Sequence, residues 1–127
     1  MKYHIQKVRE FHDAFGIQNE ENPCLINEKE FMLRYELMRE ENEEYLKACR
    51  EGNLVEIADA LGDMLYILCG TLLKHGLHHK IESVFEEIHR SNMSKLDENG
   101  KPIYREDGKV LKSNLYFKPD IRKILQE

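Results

Sequence analysis

The sequence predicts an all-α protein: a bundle of about four to five helices completed by oligomerisation, with a short hairpin-like tail at the carboxyl end. Three observations lead there. Apolar residues recur at helical spacing in four stretches, and only three prolines interrupt 127 residues. Charged residues make up 34% and hydrophobic residues 41% of the chain, the profile of a soluble, helix-rich domain. Two of the four stretches carry carboxylates in register with apolar faces.

The first helix is expected over residues 2–15, with Ile5, Val8, Phe11 and Phe15 inward and Gly16 as its stop. His12 falls on or near the apolar side, where a histidine is more often a satisfied core residue than a ligand. A loop over residues 17–27 contains Pro23 and ends at Asn27, a cap for the next helix with Glu30 three residues on. That second helix runs from Glu28 to about Arg50. A short turn at Gly52 follows, and short turns make neighbouring helices antiparallel. The third helix starts after Asn53, runs to about His75 and is closed by Gly76. Its middle is apolar nearly all round, more than one small domain can cover, so a subunit interface is expected. A fourth helix spans about Lys80 to Met93, with Ile81, Val84, Phe85 and Ile88 on its inner side. Beyond it, Asp97-Glu-Asn-Gly100 and Glu106-Asp-Gly108 are turn signals. Lys101–Tyr104 and Lys109–Leu111 are expected to pair as a hairpin, and a last helical turn, Asp120–Gln126, follows Pro119. The chain therefore divides into a bundle over about 1–96 and a tail over 97–127, within one domain.

The chemistry concentrates on two stretches. In Arg34-Tyr-Glu-Leu-Met-Arg-Glu-Glu-Asn-Glu-Glu44, the acids Glu40, Glu41 and Glu44 share one helix sector with Leu37 and Ala48. In Glu56-Ile-Ala-Asp-Ala-Leu-Gly-Asp63, the acids Glu56, Asp59 and Asp63 stand at i, i+3 and i+7. A glutamate run alone reads as a solvated helix face, and Glu56 alone as half of a capping box with Asn53. Neither reading covers Asp59 and Asp63, which lie past the first turn of an apolar helix. Carboxylates there need a cation or a solvated cavity. Two such helices packed together converge their acids on one point, an all-oxygen environment that suits Mg²⁺ when phosphates complete the shell.

Charge and cysteine usage exclude other classes. A net charge of −5 argues against a nucleic-acid backbone as the main partner. Cys24, Cys49 and Cys69 have no ligand-like spacing and read as reduced thiols of a cytoplasmic protein. The longest apolar run, Met64–Leu73, contains Gly70 and is too short to span a membrane. Cations follow the acids in His89-Arg-Ser-Asn-Met-Ser-Lys95, and Lys112 and Arg34 are candidates to join them. A metal beside lysine and asparagine suits a phosphate chain bridging the two. The bland reading of Arg90 and Lys95 is a helix end complementing its dipole.

Glu40-Glu41-x-x-Glu44 followed by Glu56-x-x-Asp59 resembles the EExxE…ExxD pattern of the all-α nucleoside triphosphate pyrophosphohydrolases, the MazG-like and dimeric dUTPase superfamily. Within it, the segment Glu56 to Tyr66 and the tail segments His89–Lys95 and Asp107–Lys112 are most similar to the deinococcal MazG-like branch. The resemblance covers roughly residues 28–122. It implies hydrolysis of a nucleoside triphosphate to the monophosphate and pyrophosphate, dependent on Mg²⁺ with Mn²⁺ as a substitute, and a leaning toward dUTP. Carried over by position, Glu41, Glu44, Glu56 and Asp59 are the metal ligands and Glu40 orients or deprotonates water. Arg34, Asn92, Lys95 and Lys112 are the candidate substrate contacts. Asp63 is an additional acid that some relatives use instead; that register puts Ala60 where an acid belongs, which favours Glu56 and Asp59. The resemblance also implies a homodimer or homotetramer whose second subunit completes the site.

Two rivals stand beside this reading. A carboxylate-bridged di-iron protein requires Glu-x-x-His on two helices, and this chain has only Glu86-x-x-His89. A catalytically silent nucleotide-binding helical module would lack some of the acids, and here every one is present.

Overall fold

The computed structural model describes all residues, Met1 to Glu127. The predicted all-α class is what is observed: five helices and one two-stranded hairpin. The helices are α1 (Lys2–Ala14), α2 (Glu28–Arg50), α3 (Leu54–Lys74), α4 (Ile81–Met93) and α5 (Ile121–Gln126). The chain forms two compact units, Met1–His79 and Lys80–Glu127.

In the first unit, α2 and α3 are the packed pair, and α1 lies on α3. Both long helices start where the sequence places their caps. The Asn27 side chain accepts from Glu30 N at 2.9 Å, and Asn53 accepts from Glu56 N at 3.1 Å. The turn between them is Glu51–Asn53, with Gly52 at φ 66°. The pair is antiparallel: Arg34, early in α2, reaches Ile67 and Thr71, late in α3.

The core of this unit is small. Ile5 and Val8 of α1, Ala48 of α2, and Ala60, Cys69, Leu72 and Leu73 of α3 are buried. His12 is buried as well, and its Nδ1 meets Asn19 Oδ1 at 2.6 Å, so the satisfied core histidine is what the structure holds. Phe15, expected inward, is 69% exposed, because α1 ends at Ala14 and Phe15 is its C-cap. Phe11 is also partly exposed, stacking on Phe15 and meeting the Tyr66 ring edge-on at 5.7 Å.

The loop over residues 17–27 is tied down along the carboxyl end of α3. Glu20 N donates to Leu73 O and Cys24 N to His75 O, each at 2.9 Å. Lys74 is buried, and its Nζ donates to Gln18 O at 2.9 Å and to Glu30 Oε1 at 3.1 Å. A buried ammonium needs such partners, and one lysine thereby joins the loop, α2 and α3.

In the second unit the serines at the end of α4 organise the tail. Ser91 is buried and its Oγ donates to Phe117 O at 2.8 Å. Ser94 Oγ accepts from Phe117 N at 3.1 Å, and Ser113 Oγ donates to Leu96 O at 2.7 Å. Arg90 lies over the Phe117 ring at 4.4 Å. The expected hairpin is present as Ile103–Tyr104 antiparallel to Val110–Leu111, in the register Ile103 with Leu111. Asp120 caps α5, its side chain accepting from Lys123 N. The sequence grouped α4 with the bundle and began the tail at 97. The packing instead places α4 with the tail, through these serine bonds and through Asp120 N donating to Glu87 Oε2 at 2.7 Å. Phe85, expected on the inner side of α4, is 66% exposed.

Candidate functional site

The site begins with helix geometry. On α2, residues three apart project Glu41 and Glu44 to one side; on α3, residues four apart project Asp59 and Asp63. The antiparallel pairing brings these four acids together. The Glu41 carboxyl is pushed up to about 7, first by desolvation, then by the charges of Asp63, Glu44 and Asp59. Asp63 is also raised, by desolvation and then by Asp59 and Glu44. Glu41 Oε2 is buried and has no hydrogen-bond partner.

Glu56 takes a neighbouring place. It lines a recess of about 320 Å³ together with Glu44, Lys47, Ala48 and Glu51. Glu44 thus belongs both to this recess and to the Glu41 cluster. Glu40 is exposed, one residue along α2 from Glu41. The order of the charges acting on Glu41 puts Asp63 ahead of Asp59, so the acid that the motif register left aside stands in the cluster.

A cluster in which one acid holds its proton near neutrality is short of positive charge. An orphaned buried carboxylate oxygen beside three further acids is the donor set that a hard divalent cation takes. The residues present fit such an ion.

The expected substrate contacts divide between the units. Arg34 is half-buried in the first unit; its Nε donates to Thr71 Oγ1 at 3.0 Å and its Nη2 to Ile67 O at 2.9 Å. Two of its donors therefore hold α2 against α3. Asn92, Lys95 and Lys112 belong to the second unit. Asn92 is exposed near the end of α4, and its carbonyl accepts from Lys95 N at 3.1 Å. Lys112 Nζ lies 4.6 Å from the centre of the Tyr116 ring. Glu86 and His89, the single Glu-x-x-His, line an open groove of α4 with Arg90 and Ile124.

One cluster escaped the sequence reading: Glu21, His78 and His79, with ligand atoms all within 4.8 Å of one another. The adjacent histidines were its only signal. Glu21 is 57 positions from His78 and no spacing rule joins them.

No helix of the chain is long and apolar enough to cross a membrane. Over 103 residues the chain is 33% identical to an uncharacterized protein of Acanthamoeba polyphaga mimivirus, covering 74% of this chain and 39% of the relative. The chain thus spans well under half of that relative's length. Among solved structures it is similar to a candidate NTP pyrophosphohydrolase from Exiguobacterium sp. 255-15, at 26% identity and a TM-score of 0.50. That similarity covers 97% of this chain and 91% of the other. The model of the phosphoribosyl-ATP pyrophosphohydrolase family matches residues 8–92. The match runs from the second turn of α1 to the last turn of α4, so both acidic helices lie inside it, and the chain belongs to the phosphoribosyl-ATP pyrophosphohydrolase family.

Proposed function

We propose that this chain is a divalent-metal-dependent nucleotide pyrophosphohydrolase, cleaving a nucleoside triphosphate to the monophosphate and pyrophosphate. The observation that carries the reading is Glu41, whose buried, unpartnered Oε2 stands among Glu44, Asp59 and Asp63. Family membership and the Exiguobacterium neighbour support the reaction class. Glu41, Glu44, Asp59 and Asp63 would hold the ion, with Glu56 beside them in the shared recess. Bound Mg²⁺ or Mn²⁺ would supply charge neutralisation of phosphate oxygens and acidify a water.

Glu40 is exposed and adjacent to the cluster, so it is the carboxylate free to accept the proton of the attacking water. Arg34 fixes the spacing of the two acidic helices through Thr71 and Ile67. Asn92, Lys95 and Lys112 are the proposed nucleotide and phosphate contacts, resting on the resemblance of the 89–95 and 107–112 segments to the deinococcal branch. The same resemblance makes dUTP the favoured substrate, with clearance of unwanted nucleotides as the role.

The test is pyrophosphate release with Mg²⁺ across ribo- and deoxyribonucleoside triphosphates, dUTP and phosphoribosyl-ATP, with Glu41→Gln alongside. Release from one or a few substrates, lowered at least about a hundredfold in the variant, is expected. Silence of the wild type across the panel, or an unaffected Glu41→Gln, would overturn the proposal.

A further inference from the structure

A second group of ligand atoms lies at the other end of α3. From Asp63 to Lys74 the helix rises about 16 Å, so this group is well separated from the acidic cluster. Glu21 Oε2 lies 3.4 Å from His79 Nε2 and 3.6 Å from His78 Nε2. In tetrahedral zinc sites, bonds near 2.0–2.1 Å place neighbouring ligand atoms about 3.3 Å apart. Both Glu21 separations are within a few tenths of an ångström of that edge, and all three ligand atoms lie within 4.8 Å of one another.

The local structure is organised to present these atoms. Glu21 sits in the 17–27 loop between two backbone bonds, Glu20 N to Leu73 O and Cys24 N to His75 O. At Gly76 the chain passes so close to Asn22 that a Cβ would stand 2.1 Å from Asn22 O. The glycine, at φ 64°, is what lets the histidine turn approach the loop. The His78 side chain is 3% exposed, whereas His79 is 64% exposed, so the group has one anchored and one adjustable imidazole.

Arg9 decides the state of His78. Its Nη2 lies 2.9 Å from His78 Nε2, and a guanidinium only donates, so that nitrogen keeps its lone pair. His78 Nδ1 then bears the hydrogen and is buried with no partner. That lone pair, on a nitrogen 3.6 Å from Glu21 Oε2, faces the Arg9 guanidinium, and it is the form of imidazole nitrogen that binds metal once Arg9 moves off it. The second Arg9 nitrogen, Nη1, donates to Glu21 Oε1 at 3.0 Å, leaving Oε2 toward the histidines. Arg9 thus orients a ligating carboxylate from behind, and its other contact gives way when an ion takes the Nε2 lone pair.

We propose that Glu21, His78 and His79 form a three-ligand site for a zinc-class divalent transition metal, joining the 17–27 loop to the carboxyl end of α3. Two imidazoles and a carboxylate select Zn²⁺, Co²⁺ or Ni²⁺ over Mg²⁺, and three protein ligands leave a fourth position for water.

The test is equilibrium dialysis of the full chain against micromolar Zn²⁺ with millimolar Mg²⁺ present to fill the carboxylate cluster. The imidazole nitrogens are followed by ¹⁵N NMR, and Glu21→Gln and His79→Gln serve as variants. Both substitutions are at exposed side chains and spare the core. Retention of one Zn²⁺ per chain, with shifts of both His78 and His79 nitrogens and a Kd raised at least about tenfold in each variant, is expected. Absence of zinc retention, or retention by both variants equal to that of the wild type, would overturn it.

Discussion

Arg34 of α2 lies across Gly70 of α3, so close that a Cβ on Gly70 would stand 2.5 Å from Arg34 Nη2 and 3.0 Å from His12 Nε2. The guanidinium is not free to swing away, because it is bonded to Ile67 O and Thr71 Oγ1. Three segments, α1, α2 and α3, meet at the one residue that has no side chain. The predicted consequence separates two glycines of the same helix. Gly62→Ala meets nothing within 4 Å and should stabilise by about 0.5–1 kcal/mol through helix propensity. Gly70→Ala gains the same propensity but displaces Arg34, and should destabilise by about 1–2 kcal/mol net. Urea midpoints for the two variants, measured side by side, check the opposite signs.

Glu41 makes the metal-free protein sensitive to pH. Its carboxyl is raised from 4.5 to about 7 by desolvation, Asp63, Glu44 and Asp59. A raised value means that the folded state holds the proton more tightly, so the contribution is complete below pH 4.5 and lost as pH rises through about 7. In chelator, the Tm of the wild type should fall relative to Glu41→Gln between pH 5 and 8. Added Mg²⁺ should restore the wild type and not the variant. Parallel thermal melts of the two proteins would expose the opposite result.

His12 has the reverse sign. Burial, chiefly, lowers its pKa from 6.5, so its contribution is present above pH 6.5 and lost as pH falls. Its Nδ1 has Asn19 as partner, and Asn19→Ala would leave a buried ring nitrogen unpaired. The expected cost is about 1–3 kcal/mol at pH 7.5, readable as a shift in denaturant midpoint with unchanged slope.

The long helices leave a broad apolar surface uncovered. Leu33 and Tyr35 of α2 and Leu61 and Leu68 of α3 are each more than two fifths exposed. The subunit interface proposed from the sequence would form there. Sedimentation at micromolar concentration should give a mass that is a multiple of 15.1 kDa, and Leu68→Glu should lower it. A wild type sedimenting at the single-chain mass would remove the proposed dimer or tetramer.

Local features were legible in the sequence because their causes are local. Asn27 and Asn53 cap α2 and α3 by side-chain bonds that reach three residues. Gly16, Gly52 and Gly76 stop helices because they take positive φ. The Asp107-Gly108 turn sits between paired strands only two residues long. What the pattern misassigned was orientation. Phe15 and Phe85 have the right spacing to face inward, yet α1 ends before Phe15, and α4 is fixed to its tail by serine hydroxyls rather than by its aromatic face.

Residue types and spacings by themselves determined the helical class, the helix limits and the placing of acids on α2 and α3. Those follow from a period of 3.6 residues and from capping chemistry, which act over a few positions. Tertiary structure alone decided which acid has a buried, unpartnered oxygen, that Arg34 bonds α3, and that Glu21 meets His78 and His79 across 57 positions. Each of these depends on distances between segments remote in the chain. Such distances are set by close packing, as where Gly70 admits Arg34 and Gly76 admits Asn22, and no local pattern records them.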